Sequence, residues 1–314
     1  MEYRQLGNSG VRVSVIGMGT NQFGRKVSQE DVTRVIDTAL DLGVNFIDTA
    51  DVYTGSDSET TLGHALKGRW DKVVLATKGY FATGEGTNDI GASRYHLRNA
   101  VENSLNRLQS DHIDLYQMHR WDSNTPIEET MRTLDDLVSS GKVRYIGASA
   151  YASWQLAKAN LLADMRGWAS FVTVQSHYHM LEREVEKEVI PYCEADNVGF
   201  IPYFPLAGGF LTGKYKRGEE APEGSRGESS PYVKAYMTDE NYTIVETLSA
   251  WAEERGHTMA ELAHVWLLAQ PQVCSVISGL TRIEHLEANA KAADWVLTDD
   301  ELAEVNAVLS PEKA

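Results

Sequence analysis

Short apolar runs alternate with longer amphipathic segments along almost the whole chain. The runs are rich in Val, Ile, Phe and Tyr, and each run with its following segment occupies the roughly 30 or more residues of a strand–helix unit. The pattern predicts eight strands, at 13–19, 45–50, 72–78, 113–119, 143–149, 171–177, 199–204 and 273–278. Strands separated by helices pair in parallel through right-handed crossovers. The predicted fold is therefore an α/β fold, a single closed (β/α)8 barrel.

The ends of the intervening segments carry signals for helices. Ser28 precedes one segment as an N-cap, Asp31 follows three residues later, and the segment stops at Gly43. Another segment opens on Pro126 and ends at Gly141. Proline at the start and glycine after the end are typical of helices, so these segments are predicted to be helical.

Three further segments extend the barrel pattern. Residues 3–14 predict a hairpin before the first barrel strand, and residues 214–230, rich in Gly, Glu, Ser and Pro, predict a long loop. Two helical segments follow the eighth strand, the second with a capping box of Thr298 and Glu301. No linker separates a second domain, so residues 1–314 are expected to form one barrel domain.

A doubly wound open sheet is the alternative fold. Its dinucleotide fingerprint needs three glycines, and the first strand here leads to Gly17 and Gly19 with Gln22 where the third glycine would stand. A strand end where the chain turns explains the two glycines equally well. The barrel therefore remains the favoured fold.

Charge and composition narrow the class of protein. The chain has 314 residues, with 29 Lys and Arg against 45 Asp and Glu, a net charge of −16 that disfavours nucleic acid as a partner. No apolar run is long enough to span a membrane, and the start of the chain lacks the basic and apolar stretch of a secretory signal. The two cysteines, Cys193 and Cys274, are far apart and outside any CxxC motif. We expect a cytoplasmic protein with a small-molecule partner and no disulfide framework; the sequence does not indicate its oligomeric state.

Polar and ionisable side chains stand near the carboxyl ends of predicted strands two to six. In a barrel those ends meet on one face, where the loops that follow the strands converge. The side chains are Asp48 with Tyr53 shortly after it, Lys78, His119, Ser149 and Gln175. The pattern predicts a catalytic site at this end of the barrel.

Several sequence blocks resemble the aldo-keto reductases. They are NFIDTADVY, ATK, QMHRWD, YIGAS, TVQSHY and YFPLAGGFLTGKY, in the order and spacing of that family. The resemblance implies a (β/α)8 barrel that binds a nicotinamide cofactor without a Rossmann domain, usually NADPH, with NADH possible. It also implies a catalytic tetrad of Asp48, Tyr53, Lys78 and His119 and the reversible reduction of an aldehyde or ketone.

The chemistry of carbonyl reduction suits these four side chains. The reaction needs a hydride on carbon and a proton on oxygen, and Tyr53 would donate the proton. A free tyrosine has a pKa of about 10, which the Lys78 ammonium would lower. Asp48 would hold Lys78 in place, and His119 would orient the carbonyl oxygen.

The resemblance also implies the contacts to the cofactor. Ser149 and Gln175 would bind the nicotinamide carboxamide, and Tyr203 would stack on its ring, to which an aromatic face is suited. The other expected contacts are Gly19, Thr20, Asp48, Pro205, Leu206, Gly208, Leu211, Gly213, Lys214, Arg226, Gly279, Thr281, Arg282, His285, Glu287 and Asn289.

Two of these segments would bind phosphate. Residues 208–215 nearly match a P-loop but end in Tyr215, which cannot supply the hydroxyl for magnesium, so a nucleotide triphosphatase is the weaker alternative. We interpret the segment as a cradle for the pyrophosphate. After the eighth strand, Arg282 at a helix start suits the 2′-phosphate, although Ser278 replaces the family's proline and His285 stands where relatives often carry Gln or Arg.

Two further groups of side chains are weighed at the same face. His177 and His179, with Glu182 nearby, could suggest a metal site, but no convincing third ligand follows, so none is predicted. Aromatic side chains near strand ends or in loops could line a substrate pocket or simply belong to the packed interior. They are Phe23, Phe81, Trp121, Tyr151 and Tyr232.

Two other functions remain open for the same barrel. The sequence also resembles the potassium-channel β subunits, which keep the barrel and cofactor while serving a membrane protein. A sugar dehydratase or epimerase could use the same cofactor. The identity of the substrate lies beyond what the sequence indicates.

Overall fold

A computed structural model describes residues 1–309 and shows ten strands within them. Two form an antiparallel hairpin, and eight form one parallel sheet. The strands are β1 Tyr3–Gln5, β2 Arg12–Ser14, β3 Ile16–Gly19, β4 Phe46–Asp48, β5 Val74–Gly79, β6 Ile113–Met118, β7 Val143–Ser149, β8 Phe171–His177, β9 Gly199–Tyr203 and β10 Val276–Gly279. The predicted hairpin and the eight barrel strands are confirmed.

Helices connect the strands and follow the last one. The α-helices are α1 Gln29–Asp41, α2 Asp57–Ala65, α3 Arg94–Leu108, α4 Ile127–Ser139, α5 Ser153–Arg166, α6 Val189–Asp196, α7 Arg226–Ser229, α8 Pro231–Lys234, α9 Asp239–Glu253, α10 Met259–Leu268, α11 Ile283–Ala292 and α12 Asp299–Leu309. Short 3₁₀ helices span Tyr53–Ser56, Trp70–Lys72, Glu184–Glu186 and Ala207–Thr212. No helix within this part of the chain has the length and apolar character to cross a bilayer.

The eight-stranded sheet closes on itself. Its order is β10-β3-β4-β5-β6-β7-β8-β9, so each strand lies beside its neighbour in sequence. The two ends of this order meet at a parallel bridge between Phe200 on β9 and Val273, just before β10, and the Cys274 amide donates to the Phe200 carbonyl at 3.0 Å. The result is the predicted (β/α)8 barrel, with every strand parallel to both neighbours.

The predicted helix boundaries correspond to physical caps. The Ser28 hydroxyl accepts from the Asp31 amide ahead of α1, and Gly43 follows the helix with φ of +75°. The Thr298 and Glu301 side chains bond reciprocally to each other's backbone amides ahead of α12, as expected of a capping box. Most of the apolar core lies between the outer faces of the strands and the buried faces of these helices.

The hairpin supplies side chains to a second cluster, inside the barrel. Leu6 and Val13 meet apolar side chains that point inward from the strands. We call the strand side chains of this cluster the lower layer: Phe46, Ala76, Leu115, Ile201 and Ile277. Side chains on a strand alternate between its two faces, so the residues two positions further along point inward as well, nearer the carboxyl ends. The lower layer thus supports the floor of the site described below.

Three predicted segments are organised differently in the structure, and four predicted strands, at 45–50, 72–78, 113–119 and 199–204, differ only at their ends. Residues 13–19 do not form one strand, because the chain breaks at Val15 between β2 of the hairpin and β3 of the barrel. Regular pairing of the last strand starts at Val276, and of the three residues before it only Val273 forms a bridge to β9. The predicted loop at 214–230 contains the one-turn helix α7.

Candidate active site

Four polar side chains form the layer directly above the lower layer. Asp48, Lys78 and Gln117 each lie two residues beyond a lower-layer residue on their strand, and Gln175 lies on β8. We call these four side chains the upper layer. Lys78 on β5 is the register partner of Gln117 on β6, and Ser149 on β7 is the partner of Gln175 on β8. The register thus brings residues from distant parts of the chain to one level of the barrel.

Asp48 joins the upper layer together. Its Oδ2 accepts from the Lys78 ammonium at 2.6 Å, and its Oδ1 accepts from the Gln117 amide at 3.1 Å and the Gln175 amide at 2.9 Å. All four side chains are buried. A buried carboxylate that accepts from three donors is held in one position, so the geometry fits the predicted role of Asp48 in holding Lys78.

Tyr53 reaches this layer from the segment that follows β4. Its hydroxyl lies 3.4 Å from the Lys78 ammonium, which also donates to the Thr49 carbonyl at 2.8 Å. Burial raises the pKa of Tyr53, the Lys78 charge lowers it, and Asp48 raises it; the net direction is upward. The expected effect of Lys78 has the right sign. Burial outweighs it, so the pKa of Tyr53 lies above the ordinary value.

Lys78 is fully buried and its charge depends on its neighbours. Burial alone would lower its pKa, but the Asp48 carboxylate and Tyr53 hydroxyl beside it raise the pKa above the ordinary value. The ion pair with Asp48 therefore keeps Lys78 protonated. This arrangement holds a cation at the Tyr53 hydroxyl.

His119 follows β6 directly and faces Tyr53. The two ring centroids lie 5.9 Å apart in an edge-to-face arrangement. Burial, and then the Lys78 charge, lower the pKa of His119 to about 3, so the ring is neutral at working pH. Its Nδ1 is buried and has no hydrogen-bond partner among residues 1–309. A neutral imidazole can donate or accept a hydrogen bond, which suits His119 to the predicted role of orienting a carbonyl oxygen.

The sequence reasoning missed two side chains at the site. Gln117 donates to Asp48, and its Oε1 is buried with no hydrogen-bond partner among the described residues. Its spacing from His119 was a usable signal, because residues two apart on a strand share a face. Asp51 is buried beside the predicted tetrad with neither carboxyl oxygen hydrogen-bonded in the described part of the chain. Nothing in its local pattern distinguishes it from a surface carboxylate.

The predicted nicotinamide contacts lie around the upper layer. Ser149 ends β7 beside Gln175 on β8, as the register requires. Tyr203 ends β9 and stacks on the His177 ring, with centroids 5.3 Å apart and planes 7° from parallel. One face of Tyr203 is thus already covered, and stacking of a cofactor on the other face stays a prediction.

The chain winds tightly after β9. Phe204, Ala207, Gly208, Gly209 and Gly213 all have positive φ, which only glycine adopts without strain. A Cβ on Gly209 would come within 2.9 Å of the Lys214 ammonium, so the missing side chain gives that cation room. The turn is compact, exposes Lys214 and has Arg226 beside Gly208. Backbone and charge here fit an anionic ligand.

Several predicted cofactor contacts have buried side chains. The Thr20 hydroxyl donates to the Asp48 carbonyl at 3.0 Å, and Leu211 lies in the large apolar core. Pro205 is buried as well. Their burial favours a role in holding the backbone over a role for their side chains as ligand contacts. Gly19 ends β3, and Leu206 is half-buried against the core.

A second anionic position follows β10. Gly279 is exposed at the strand end, and Arg282 precedes α11 as its N-cap residue. The charges of Arg282 and Lys214 both reach His285 and, after burial, help to lower its pKa. Asn21 Oδ1, buried and without a hydrogen-bond partner in residues 1–309, lies 3.4 Å from the place of a Cβ on Gly279.

The remaining predicted contacts lie on or near α11. Thr281 is half-buried ahead of this helix, while on α11 itself Glu287 is exposed and Asn289 is buried. The serine that replaces the family's proline has a specific partner, since Ser278 Oγ lies 2.6 Å from Nε2 of the buried His264.

The five predicted pocket aromatics do not form one group. Phe81 lies against His119, with ring centroids 4.8 Å apart, and Tyr232 hydrogen-bonds to His177. Trp121 contacts Tyr151, which is buried and packs on the core. Phe23 is fully buried in the core. Phe23 and Tyr151 are therefore packing residues in this structure, while a substrate role for Phe81, Trp121 and Tyr232 stays a prediction.

His177 and His179 make contacts with aromatic side chains. Their rings lie edge to face, and His179 Nε2 lies 3.2 Å from the Tyr236 hydroxyl. Within residues 1–309 no group of three or more His, Cys, Asp or Glu side chains is placed to hold a metal ion.

Comparison with known proteins agrees with this geometry. The model of the "Aldo/keto reductase family" matches residues 15–310. An "Uncharacterized oxidoreductase YrpG" of Bacillus subtilis is 37% identical over 98% of this chain and 95% of that protein. A "Versiconal hemiacetal acetate reductase" of Aspergillus parasiticus is 33% identical over 96% and 95%. A "Probable voltage-gated potassium channel subunit beta" of Arabidopsis thaliana is 35% identical over 94% and 92%.

Proposed function

Because the chain belongs to the aldo/keto reductase family and is an oxidoreductase, we propose that it reduces an aldehyde or ketone to the alcohol with NADPH. Tyr53 is the proton donor in this proposal, and the reaction also runs toward alcohol oxidation. The substrate is a small carbonyl compound that reaches the carboxyl end of the barrel.

One contact carries the proposal: the Lys78 ammonium lies between the Asp48 carboxylate, at 2.6 Å, and the Tyr53 hydroxyl, at 3.4 Å. Outside catalysis there is little reason to bury a lysine completely and direct it at a phenol. Burial of such a cation costs several kcal/mol unless a partner compensates it, and Asp48 is that partner. The arrangement suits a tyrosine that gives up and regains a proton.

The residues divide the work of the reaction. Tyr53 donates its hydroxyl proton to the carbonyl oxygen, and Lys78 stabilises the phenolate that remains. Asp48 holds Lys78 and keeps it charged. His119, neutral because of its burial, lies beside Tyr53 and orients the carbonyl oxygen through a hydrogen bond. A positioned acid of this kind contributes a factor of about 10² to 10⁴ in rate.

The residues present fit a dinucleotide cofactor, which would supply the hydride. Two buried acceptor atoms have no hydrogen-bond partner in the described chain: Gln117 Oε1 in the upper layer, and Asn21 Oδ1 near Gly279 at the end of β10. The turn of residues 204–213 and Lys214 would hold the pyrophosphate. Arg282 favours NADPH, because the 2′-phosphate adds negative charge that NADH lacks. The nearby His285 ring could add a hydrogen bond to that phosphate.

The test is turnover with a matched pair of tyrosine variants. Purified protein is mixed with NADPH and a panel of aldehydes and ketones, and the nicotinamide absorbance is followed, with NADH in parallel. We expect turnover by the wild type, a loss of at least about 10²-fold in Tyr53→Phe, and little change in Tyr95→Phe, whose side chain is 65% exposed on α3.

Two results would contradict the proposal. Wild-type protein that consumes no NADPH with any carbonyl compound would exclude the proposed activity. Equal rates for Tyr53→Phe and the wild type would exclude Tyr53 as the acid while leaving the activity in place. Cofactor binding measured by fluorescence separates a lost proton donor from a damaged fold.

A regulatory role is the second candidate, supported by the relatives named as potassium channel β subunits. Such a subunit would form a stable ring-shaped oligomer and retain its cofactor through purification. A reductase would turn over and release it. Gel filtration with light scattering, together with the absorbance of the purified protein, distinguishes the two.

Location and domain organisation belong to the proposal as well. Cys193 and Cys274 are both buried free thiols, which is typical of a protein in the reducing cytoplasm. We place the whole chain in one barrel domain there.

A further inference from the structure

Asp51 is a buried carboxyl group that the proposed reaction does not use. Its side chain is 1% exposed, and neither carboxyl oxygen has a hydrogen-bond partner among residues 1–309. Buried polar atoms are nearly always hydrogen-bonded, so two bare carboxyl oxygens in one side chain need an explanation.

The backbone of Asp51 is tied to the site on both sides. Its amide donates to the Lys78 carbonyl at 3.1 Å, and its own carbonyl accepts from the Ser56 hydroxyl at 2.7 Å. Asp51 thus connects the end of β5 to the turn that carries Tyr53. These contacts fix the main chain of Asp51 relative to Lys78 and Tyr53.

A second buried polar group lies on the other side of Asp51. The Tyr116 hydroxyl on β6 also has no hydrogen-bond partner among the described residues. A Cβ on Gly79 would overlap this hydroxyl and would lie 3.4 Å from Asp51 Oδ2. The absence of a side chain at Gly79 therefore opens a space that the phenol and the carboxyl group share.

The neighbouring carboxylate of Glu59 already has partners of its own. Glu59 on α2 accepts from the Thr77 hydroxyl at 2.6 Å and forms an ion pair with Arg107 at 2.7 Å. Two carboxyl groups thus lie near one guanidinium, and Glu59 holds it. Among residues 1–309, Asp51 is left without a direct cationic partner.

These surroundings make the uncharged form of Asp51 stable near neutral pH. Burial and then the Glu59 charge raise the pKa of Asp51 to about 7, against weaker lowering by Arg107, the Val52 amide and Lys78. The titratable groups that face it are Glu59, Arg107, Lys78, Tyr53 and Tyr116. Negative charge on Asp51 acts in turn on Tyr53 and raises the pKa of that hydroxyl.

We propose that Asp51 is a positioning residue that sets how readily Tyr53 releases its proton. Uncharged Asp51 leaves Lys78 as the charge that opposes Asp48 at the Tyr53 hydroxyl, and ionised Asp51 adds a second negative charge that holds the proton more firmly. The inference rests on the proposed function, because it concerns the same proton donor.

The direction of the effect appears in alcohol oxidation. Oxidation needs Tyr53 as phenolate, so its rate rises with pH as the hydroxyl ionises. In the wild type, Asp51 ionises first and displaces this rise to higher pH. Asp51→Asn keeps the shape without the charge, so the rise moves to lower pH.

The experiment compares the pH dependence of kcat for alcohol oxidation in three proteins. They are the wild type, Asp51→Asn and the control Asp114→Asn, which replaces another buried aspartate that is paired with Arg144 instead of facing Tyr53. We expect the rise of kcat with pH to move to lower pH only in Asp51→Asn. If that variant does not fold, Asp51→Ala removes the same charge.

An infrared measurement tests the charge of Asp51 without catalysis. The carbonyl stretch of an un-ionised carboxylic acid should be present at pH 6, disappear toward pH 9, be absent in Asp51→Asn and remain in Asp114→Asn. The proposal would be overturned if this band were absent in the wild type. It would also be overturned if the rise of kcat with pH occurred at the same pH in Asp51→Asn and the wild type.

A separate outcome identifies failure of the proposed function. Protein that binds cofactor but never turns over contradicts the reductase alone. The role of Asp51 is then tested by titrating Tyr53 with pH. Its ionisation is the difference in tyrosinate absorbance between each protein and the same protein with Tyr53→Phe. A midpoint for Tyr53 that Asp51→Asn does not lower would refute the role of Asp51.

Discussion

Lys78 and Asp48 form an ion pair inside the barrel, with 2.6 Å between the ammonium and Oδ2 and with side-chain exposures of 0% and 5%. The two residues stand 30 positions apart and meet because β4 and β5 are neighbouring parallel strands. A pair this deeply buried depends on both members, since either one alone would be an uncompensated charge.

Removing the carboxylate should therefore destabilise the fold. We expect Asp48→Asn to lower the free energy of unfolding by about 3–5 kcal/mol, because Lys78 is left buried without its counter-charge. Denaturant unfolding measures the change. Asp37→Asn, which removes an exposed ion pair with Arg69, is the control and should cost less than about 1 kcal/mol. Equal losses in the two variants would contradict the stabilising role of the buried pair.

The neutral state of His119 predicts a pH dependence of stability. Its pKa is about 3 in the fold, against an ordinary 6.5, so between these values the unfolded chain binds a proton that the folded chain does not. Stability contributed by neutral His119 is present above pH 6.5 and is lost as pH falls toward 3. The loss approaches about 1.4 kcal/mol per pH unit.

His119→Asn should remove that part of the dependence. Urea unfolding at pH 7, 6 and 5 measures the slope, and the exposed His64→Asn serves as the control. A slope in His119→Asn as steep as in the wild type would show that this ring does not stay neutral in the fold.

Charge reversal at the two anionic positions should weaken cofactor binding. We expect Lys214→Glu to weaken both NADPH and NADH, and Arg282→Glu to weaken NADPH more than NADH, each by at least about tenfold for NADPH. Fluorescence titration gives the Kd values. Arg166→Glu, an exposed change of the same charge at the end of α5, is the control. If it weakens NADPH equally, the −16 net charge and not a local site governs binding.

Ser278 and Ser275 offer a matched pair for one hydrogen bond. Both are buried, but Ser278 bonds to His264 whereas the Ser275 hydroxyl has no partner among residues 1–309. Ser278→Ala should lower the free energy of unfolding by about 1–3 kcal/mol, since it leaves the His264 nitrogen buried and bare. Ser275→Ala should cost clearly less. Thermal and denaturant unfolding of both variants measures these losses. An equal or larger loss in Ser275→Ala would contradict the prediction.

The local pattern of apolar and polar residues was sufficient to predict the strands and helices and the end of the barrel at which the site lies. Strands β7 and β8 begin and end where the apolar runs at 143–149 and 171–177 predict, because both faces of a barrel strand are buried and the run stands out. The sequence did not indicate the break between β2 and β3, because one continuous apolar run contains a strand of the hairpin and a strand of the barrel.

Spacing also places Asp48, Lys78 and His119 at one end of the barrel. The same alternation would have identified Gln117, two residues before His119. By contrast, Phe23 and Phe81 look equivalent in sequence, yet one lies in the core and the other beside His119. Which loop side chain turns inward depends on the neighbours it meets, and those come from other parts of the chain.

The sequence alone determined the barrel, the hairpin and the residue types at the strand ends, because strand and helix periods are local properties of the chain. Only the tertiary structure decided the electrostatics. Burial makes His119 neutral, outweighs Lys78 in its effect on the pKa of Tyr53, and raises the pKa of Asp51. Desolvation and charge at a point depend on every element packed around it. The charges and pKa values of these residues thus depend on distances in space, which cannot be read from their spacing along the chain.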